Sequence, residues 1–263
     1  MEKLKNQTIN RDEAQIKLLA RMFYDYVVGP NAKEKNNFVA DKVTEARLQE
    51  VQDICKKAYA HLGEYNSHVP LPTAIAWYRA TESKIGNNGK VVEGTMFPAA
   101  ITNKETGRLE AFIAMTPLKP DSYNKFKKGE LLDVDLDAKD MMPFQKGKNQ
   151  CLVMDVASMN SKLSRPAAAT LLYAFLKQMN ALEKAGVEVD SIIVDVCTEM
   201  GFNSANLVLD MKQARGTKYD VAAEDAALYE GKIKPTLLQQ IEQEIEVLKA
   251  KNAQKQMPDD RTM

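Results

Sequence analysis

Two short apolar runs that bracket a long amphipathic helix constrain this chain more than any other feature. Residues 151–157 read Cys-Leu-Val-Met-Asp-Val-Ala, and residues 191–197 read Ser-Ile-Ile-Val-Asp-Val-Cys. Runs of that length without polar alternation are strands buried on both faces. Between them Ala168, Leu171, Leu172, Phe175, Met179 and Leu182 recur at helical spacing. Ser164 stands before the first turn as a cap, Pro166 lies inside it, and Gly186 follows the last turn, which is the expected punctuation of a helix. A strand, a helix and a strand of these lengths build a right-handed parallel crossover. A further helix expected over residues 203–215 completes a strand-helix-strand-helix unit. The fold class is therefore mixed α/β, an α+β arrangement around a central sheet.

On the amino-terminal side, Leu18, Leu19, Met22, Phe23 and Tyr26 give residues 11–26 one apolar face, which Gly29-Pro30 ends. Leu48, Val51, Ile54, Cys55 and Tyr59 do the same for a helix over residues 41–62, with Gly63 as terminator. Residues 65–94, interrupted by Pro70 and Pro72, fit one short helix carrying Trp77 and Tyr78, both read as core aromatics. Two apolar runs, 96–102 and 109–116, flank Asn-Lys-Glu-Thr-Gly-Arg and predict a β-hairpin. Residues 117–150 read as a surface excursion with one short strand at 130–136. Leu238, Ile241, Ile245 and Leu248 mark a carboxy-terminal helix that begins near Pro235, about two heptads long and too short to argue a coiled coil. The division expected is a helical part at 1–94, an α/β core at 95–220 and a helical extension at 221–263.

Composition excludes several classes. The 263 residues are 44% hydrophobic and 27% charged, with 36 basic and 36 acidic side chains, so no global field draws the chain to nucleic acid or to an anionic membrane. Cys55, Cys151 and Cys197 are odd in number and embedded in apolar stretches, which reads as reduced core thiols. The polar amino terminus lacks the apolar run of a signal peptide, and no stretch of eighteen apolar residues occurs. The expectation is a cytoplasmic protein with no nucleic-acid or membrane partner.

Three groups of residues invite a chemical reading. The start of the helix at Ser164 can hold a phosphate through free N–H groups and the positive end of the helix dipole, with Lys162 and Arg165 beside it and the small residues Ala167 and Ala168 allowing close approach. The plain alternative is a capped helix whose alanines pack on the sheet. Asp155 and Asp195, each inside an apolar strand, are candidate bases, or else aspartates satisfied by neighbouring donors. Asp133, Asp135 and Asp137 would share one face of a strand at 130–136, open to a metal-bound sugar nucleotide or, more plainly, to water. An EF-hand is excluded because Ala138 and Phe144 stand where glycine and glutamate are required. His61 and His68 are too few for a histidine metal site, and Cys55 and His61 point apart on a helix, which excludes a cysteine nucleophile. No metal is expected.

The order of these elements, from the hairpin at 96–116 through both buried strands to Asn203-Ser204-Ala205, resembles the GNAT N-acetyltransferase superfamily over residues 96–216. In that family an arginine- or glutamine-led, glycine-rich turn opens the helix after the fourth strand and binds the pyrophosphate of acetyl-CoA. Lys162-Leu-Ser-Arg-Pro-Ala-Ala168 occupies that place, with alanines instead of glycines and with Pro166 lacking an N–H. The resemblance implies acetyl-CoA as co-substrate. It places Asn203 beside the pantetheine arm and the N–H groups around Val156, Ala157 and Ser158 against the thioester carbonyl. Leu209-Asp210 stands near the place where many members carry a tyrosine acid, and Tyr219 lies later.

Two functions follow from the resemblance. One is direct acyl transfer from acetyl-CoA to an amine, on a small molecule or a protein, with Asp155 or Asp195 as base. The other is a GNAT-like binding or scaffold protein that uses its terminal helices for a protein partner or a homodimer. In the transferase the two central strands should splay near residues 156–158 above Ser164; in the scaffold they should stay paired.

Overall fold

The computed structural model describes residues 2–60, 69–87, 89–160, 162–196, 205–214, 227–234 and 236–255. Its centre is a seven-stranded mixed sheet in the order β1-β4-β5-β6-β7-β9-β8. The strands are β1 (Phe38–Asp41), β4 (Ala99–Asn103), β5 (Leu109–Pro117), β6 (Gly147–Ser158), β7 (Val187–Val196), β8 (Lys212–Gln213) and β9 (Ala227–Gly231). Every neighbouring pair is antiparallel except β6 and β7, which run parallel. The helix between them, α6 (Arg165–Lys184), is the crossover that parallel neighbours require. A separate hairpin pairs β2 (Ser83–Asn87) with β3 (Lys90–Gly94).

Helices cover both faces, which is why the central strands lack polar alternation. On one side lie α6, α1 (Glu2–Phe23) and α7 (Leu237–Lys255), with Phe23, Phe175, Leu182 and Ile241 packed against Cys151 and Ile192. On the other lie α3 (Leu48–Ala58), α4 (Leu71–Thr81) and α5 (Pro120–Lys127), with Ile54, Trp77 and Tyr123 against Leu152 and Ile193. Cys151 and Leu152 thus serve opposite cores, as do Ile192 and Ile193. A short helix, α2 (Ala32–Lys35), links α1 to β1 after a π-helical turn at Tyr24–Val28. Gly29 ends that turn, and a Cβ there would sit 2.3 Å from the Tyr24 carbonyl oxygen.

The α/β class, the hairpin of β4 and β5, and the capped crossover helix are present as expected. Ser164 is the N-cap of α6, Pro166 lies in its first turn, and Gly186 beyond its end has φ +89°. Four expectations are corrected. The strand at 130–136 is a single 3-10 turn at Asp133–Asp135, followed by a second at Ala138–Asp140 that Asp137 caps, so the three aspartates do not line a strand face. Alternation over residues 132–137 alone does not separate a strand from successive tight turns. The helix over 41–62 begins at Leu48 after a 3-10 turn at Glu45–Arg47, and residue 41 belongs to β1.

The amino-terminal helix begins well before residue 11, at Glu2. Of the helix over 203–215, residues 205–208 are helical, after which Leu209 bridges Ile233 and β8 pairs with β9. Sheet pairing overrides helical spacing there. Among the described residues no helix is long and apolar enough to cross a membrane.

Candidate functional site

The ladder between β6 and β7 runs from Gly147↔Val187 to Val153↔Val194 and stops there. Both strands continue. β6 reaches Ser158 paired on its outer side with β5, where Ala111↔Ser158 is one of the pairs. β7 reaches Val196 paired on its outer side with β9 at Val196↔Ala227. Each strand follows its outer neighbour, so the sheet opens between them. Among the described residues no strand pairs with the β7-facing edge of residues 154–158, and Val156 is 57% exposed there. This opening sits at the carboxyl ends of parallel strands, where ligands enter α/β sheets.

A bulge helps to create it. The register against β5 passes from Ala114↔Asp155 to Met115↔Val153, which leaves Met154 as the extra residue. Both Met154 and Ala157 pack with the α3-side core. Asp155, beside Met154, receives a hydrogen bond from Tyr59, which follows α3. Two successive side chains thus face the same layer, as a bulge requires. Asp155 and Asp195 flank the point at which pairing ends: Asp195 follows Val194 directly, and Asp155 follows Val153 after the bulged Met154.

Burial lifts the Asp155 carboxyl to about 6, with the charge of Asp133 adding to the rise and the Tyr59 hydroxyl opposing it. Asp195 is exposed as a residue, and its carboxyl is raised through partial burial and then through the charge of Asp133. Burial, followed by the Asp155 charge, pushes the half-buried Cys55 thiol far up, which leaves it un-ionised and unreactive. Tyr59 is not legible as a site residue in the sequence, and Asp133 stands out there only as part of an aspartate face on a strand that does not form, not as a neighbour of Asp155 and Asp195. Tyr59 reads as one more apolar-face residue, and its approach to Asp155 depends on the bulge.

The short loop after β6 leads into α6. The Ala167 N–H leans on Ser164 Oγ at 3.4 Å, the Ala168 N–H is committed to Ser164 O at 2.9 Å, and Pro166 has no N–H. The buried Ala167 and Ala169 pack into the core, whereas Ala168 is partly open. Lys162 and Arg165 are exposed, without an ion-pair partner among the described residues. The structure thus brings Asp155, Val156, Ala157 and Ser158 along one open strand edge, Asp195 across from it, and Lys162, Ser164, Arg165, Ala167 and Ala168 at the next helix start. Asn203, His61, His68 and Cys197 lie outside the described residues. Asp210 is exposed and donates its N–H to Lys232 O at 2.9 Å. Among the described residues no three His, Cys, Asp or Glu side chains converge as a metal site.

A groove of about 1530 Å³ lies elsewhere, along β1. Size does not outweigh chemistry here, because the groove lacks the combination of an open strand edge, a raised carboxyl and unpaired cations that the β6–β7 opening has. Compared with known proteins, the chain matches no family profile and no curated protein.

Proposed function

We propose that this chain is an acyl-CoA-dependent N-acyltransferase of GNAT type, transferring an acetyl group from acetyl-CoA to an amine in the cytoplasm. The observation that carries the reading is the opening of the parallel pair after Val153↔Val194. An unpaired strand edge inside a sheet asks for an extended partner with amide groups of its own. The pantetheine arm of CoA is such a partner, and its pyrophosphate would then reach Lys162 and Arg165 at the start of α6.

In this mechanism Asp155, with its carboxyl near 6, is ionised at neutral pH and accepts a proton from the acceptor ammonium, directly or through one water. The free amine attacks the thioester carbonyl, and the backbone N–H groups of Val156 and Ser158, which alternate with the β5-bonded Ala157, receive the negative oxygen of the tetrahedral intermediate. Its collapse breaks the carbon–sulfur bond; the thiolate leaves and takes up the proton that the nitrogen loses.

Pro166 and the committed amides of Ala167 and Ala168 favour a second reading, a GNAT-like scaffold whose phosphate turn no longer binds. Thermal unfolding with acetyl-CoA and with CoA separates them. Ligand at one hundred times its dissociation constant adds about 2.7 kcal/mol of stability. The transferase predicts such a shift with both ligands, reduced in Arg165→Ala; an unchanged transition at millimolar ligand removes the transferase and leaves the scaffold.

A further inference from the structure

The groove along β1 is independent of the acyl-transfer site, and we propose that it docks an extended acidic peptide that adds a strand to the free edge of β1. Its size is the first reason. At about 1530 Å³ it exceeds the range of roughly 300–1,000 Å³ that small-molecule pockets occupy, and it runs along an entire strand.

The second reason is the backbone. Among the described residues β1 is the last strand of the sheet on its side. The Lys104 N–H donates to Asn37 O at 2.8 Å, and bonding positions alternate along an antiparallel ladder. Val39 and Asp41 therefore bond toward β4, while Phe38 and Ala40 turn their backbone groups outward. The Phe38 N–H is taken by Asn36 Oδ1 at 2.9 Å, which leaves the Phe38 carbonyl and both groups of Ala40 as a template two residues long in register. Asn36 is itself buried, donating to Tyr26 O at 2.6 Å and to Thr170 Oγ1 at 2.8 Å, so the start of this edge is pinned to α6. The edge is presented in a fixed position, which lowers the ordering cost of a partner.

Charge selects the occupant. Five lysines line the groove against three carboxylates. Two of those carboxylates are already engaged, Asp41 with Arg47 at 2.6 Å and Glu93 with Lys42 at 2.5 Å. Lys33 and Lys84 have no salt-bridge partner among the described residues. Val39, 45% exposed, adds an apolar contact on the same strand. A second copy of this edge would bring like charges face to face, whereas a strand that alternates acidic and apolar side chains meets both features.

The test uses the full chain and a capped, fluorescein-labelled peptide that alternates glutamate and valine, followed by anisotropy. Saturable binding in the micromolar range is expected, weakened about tenfold or more by Ala40→Pro and by the double variant Lys33→Glu/Lys84→Glu. Unfolding curves check that both variants fold. A peptide N-methylated at alternate residues should bind about tenfold more weakly to the unaltered protein, which keeps the test decisive if Ala40→Pro does not fold. Several results overturn the proposal: no saturation by about 1 mM peptide, equal binding of the N-methylated peptide, or equal binding of a lysine-valine peptide. In those cases the lysines only keep the edge from pairing. Sedimentation showing a dimer that Ala40→Pro abolishes would also overturn it, in favour of self-pairing.

Discussion

The two halves of the β6–β7 pair are built on opposite terms. Over residues 147–153 and 187–194 the strands are paired, and Cys151, Leu152, Ile192 and Ile193 are at most 2% exposed. At this end Tyr123 donates to Ser191 Oγ at 2.7 Å, and Ser191 donates to Glu230 Oε1 at 2.8 Å, so the polar groups that enter the core are answered. Past Val153↔Val194 pairing stops, a valine stands in solvent, and an aspartate is held against burial. One end contributes stability and the other gives some of it up, which is the distribution expected where a rigid scaffold carries a site.

The largest expected effect belongs to the closed half. Ile193→Ala removes a side chain with no exposure from the α3-side core and should cost about 2–5 kcal/mol in urea unfolding. A loss below about 1 kcal/mol would mean that the paired half is not the scaffold and would dissolve the contrast.

Asp155→Asn reverses the sign. The folded-state carboxyl lies near 6, above its ordinary value of 3.8, so the folded protein prefers the protonated form. That preference is fully present below pH 3.8, fades as pH rises, and is lost above pH 6. The asparagine variant should therefore match the parent in stability near pH 3.5 and gain on it as pH rises, levelling off above about pH 7 at no more than about 3 kcal/mol. Under the transferase reading the same variant loses acetyl transfer. A stabilising gain that is flat across this pH range would show that Asp155 is not held in a raised state.

What was legible follows from how local each signal is. The cap at Ser164, Pro166, the Gly186 turn and the doubly buried runs around Leu152 and Ile193 are written in consecutive residues, and the structure keeps them. β1 escapes the sequence because Phe-Val-Ala-Asp is short, mostly exposed and held by β4, a partner remote in sequence. The β2–β3 hairpin is a local signal, two short runs joined at Asn88-Gly89, that reading residues 65–94 as one short helix passes over. At the candidate site Asp155 and Asp195 were legible as acids within apolar runs. The bulge at Met154, which aims Asp155 toward Tyr59, depends on the register with β5 and has no local signature.

Ser164→Ala tests the link between the opening and α6. The cap accepts one N–H, from Ala167 at 3.4 Å, a long bond, so the loss should fall near the lower end of the usual range, about 0.5–1 kcal/mol by thermal unfolding. A loss of about 2 kcal/mol would mean that the cap is tighter in solution and that the turn holds its amides for itself, which favours the scaffold.

Val156→Ala carries the smallest effect on stability and the most selective one on the site. The side chain is 57% exposed, so its loss should change the unfolding free energy by less than about 0.5 kcal/mol, in contrast with Ile193→Ala on the neighbouring strand. An exposed valine on an unpaired edge has little to do in the free protein. If a pantetheine arm lies along residues 154–158, that valine is a wall of its channel, and truncation should weaken acetyl-CoA binding several-fold by calorimetry while leaving the unfolding curve in place. If binding does not change, the open edge is not where the ligand lies. The two halves of the strand pair would then differ in packing alone.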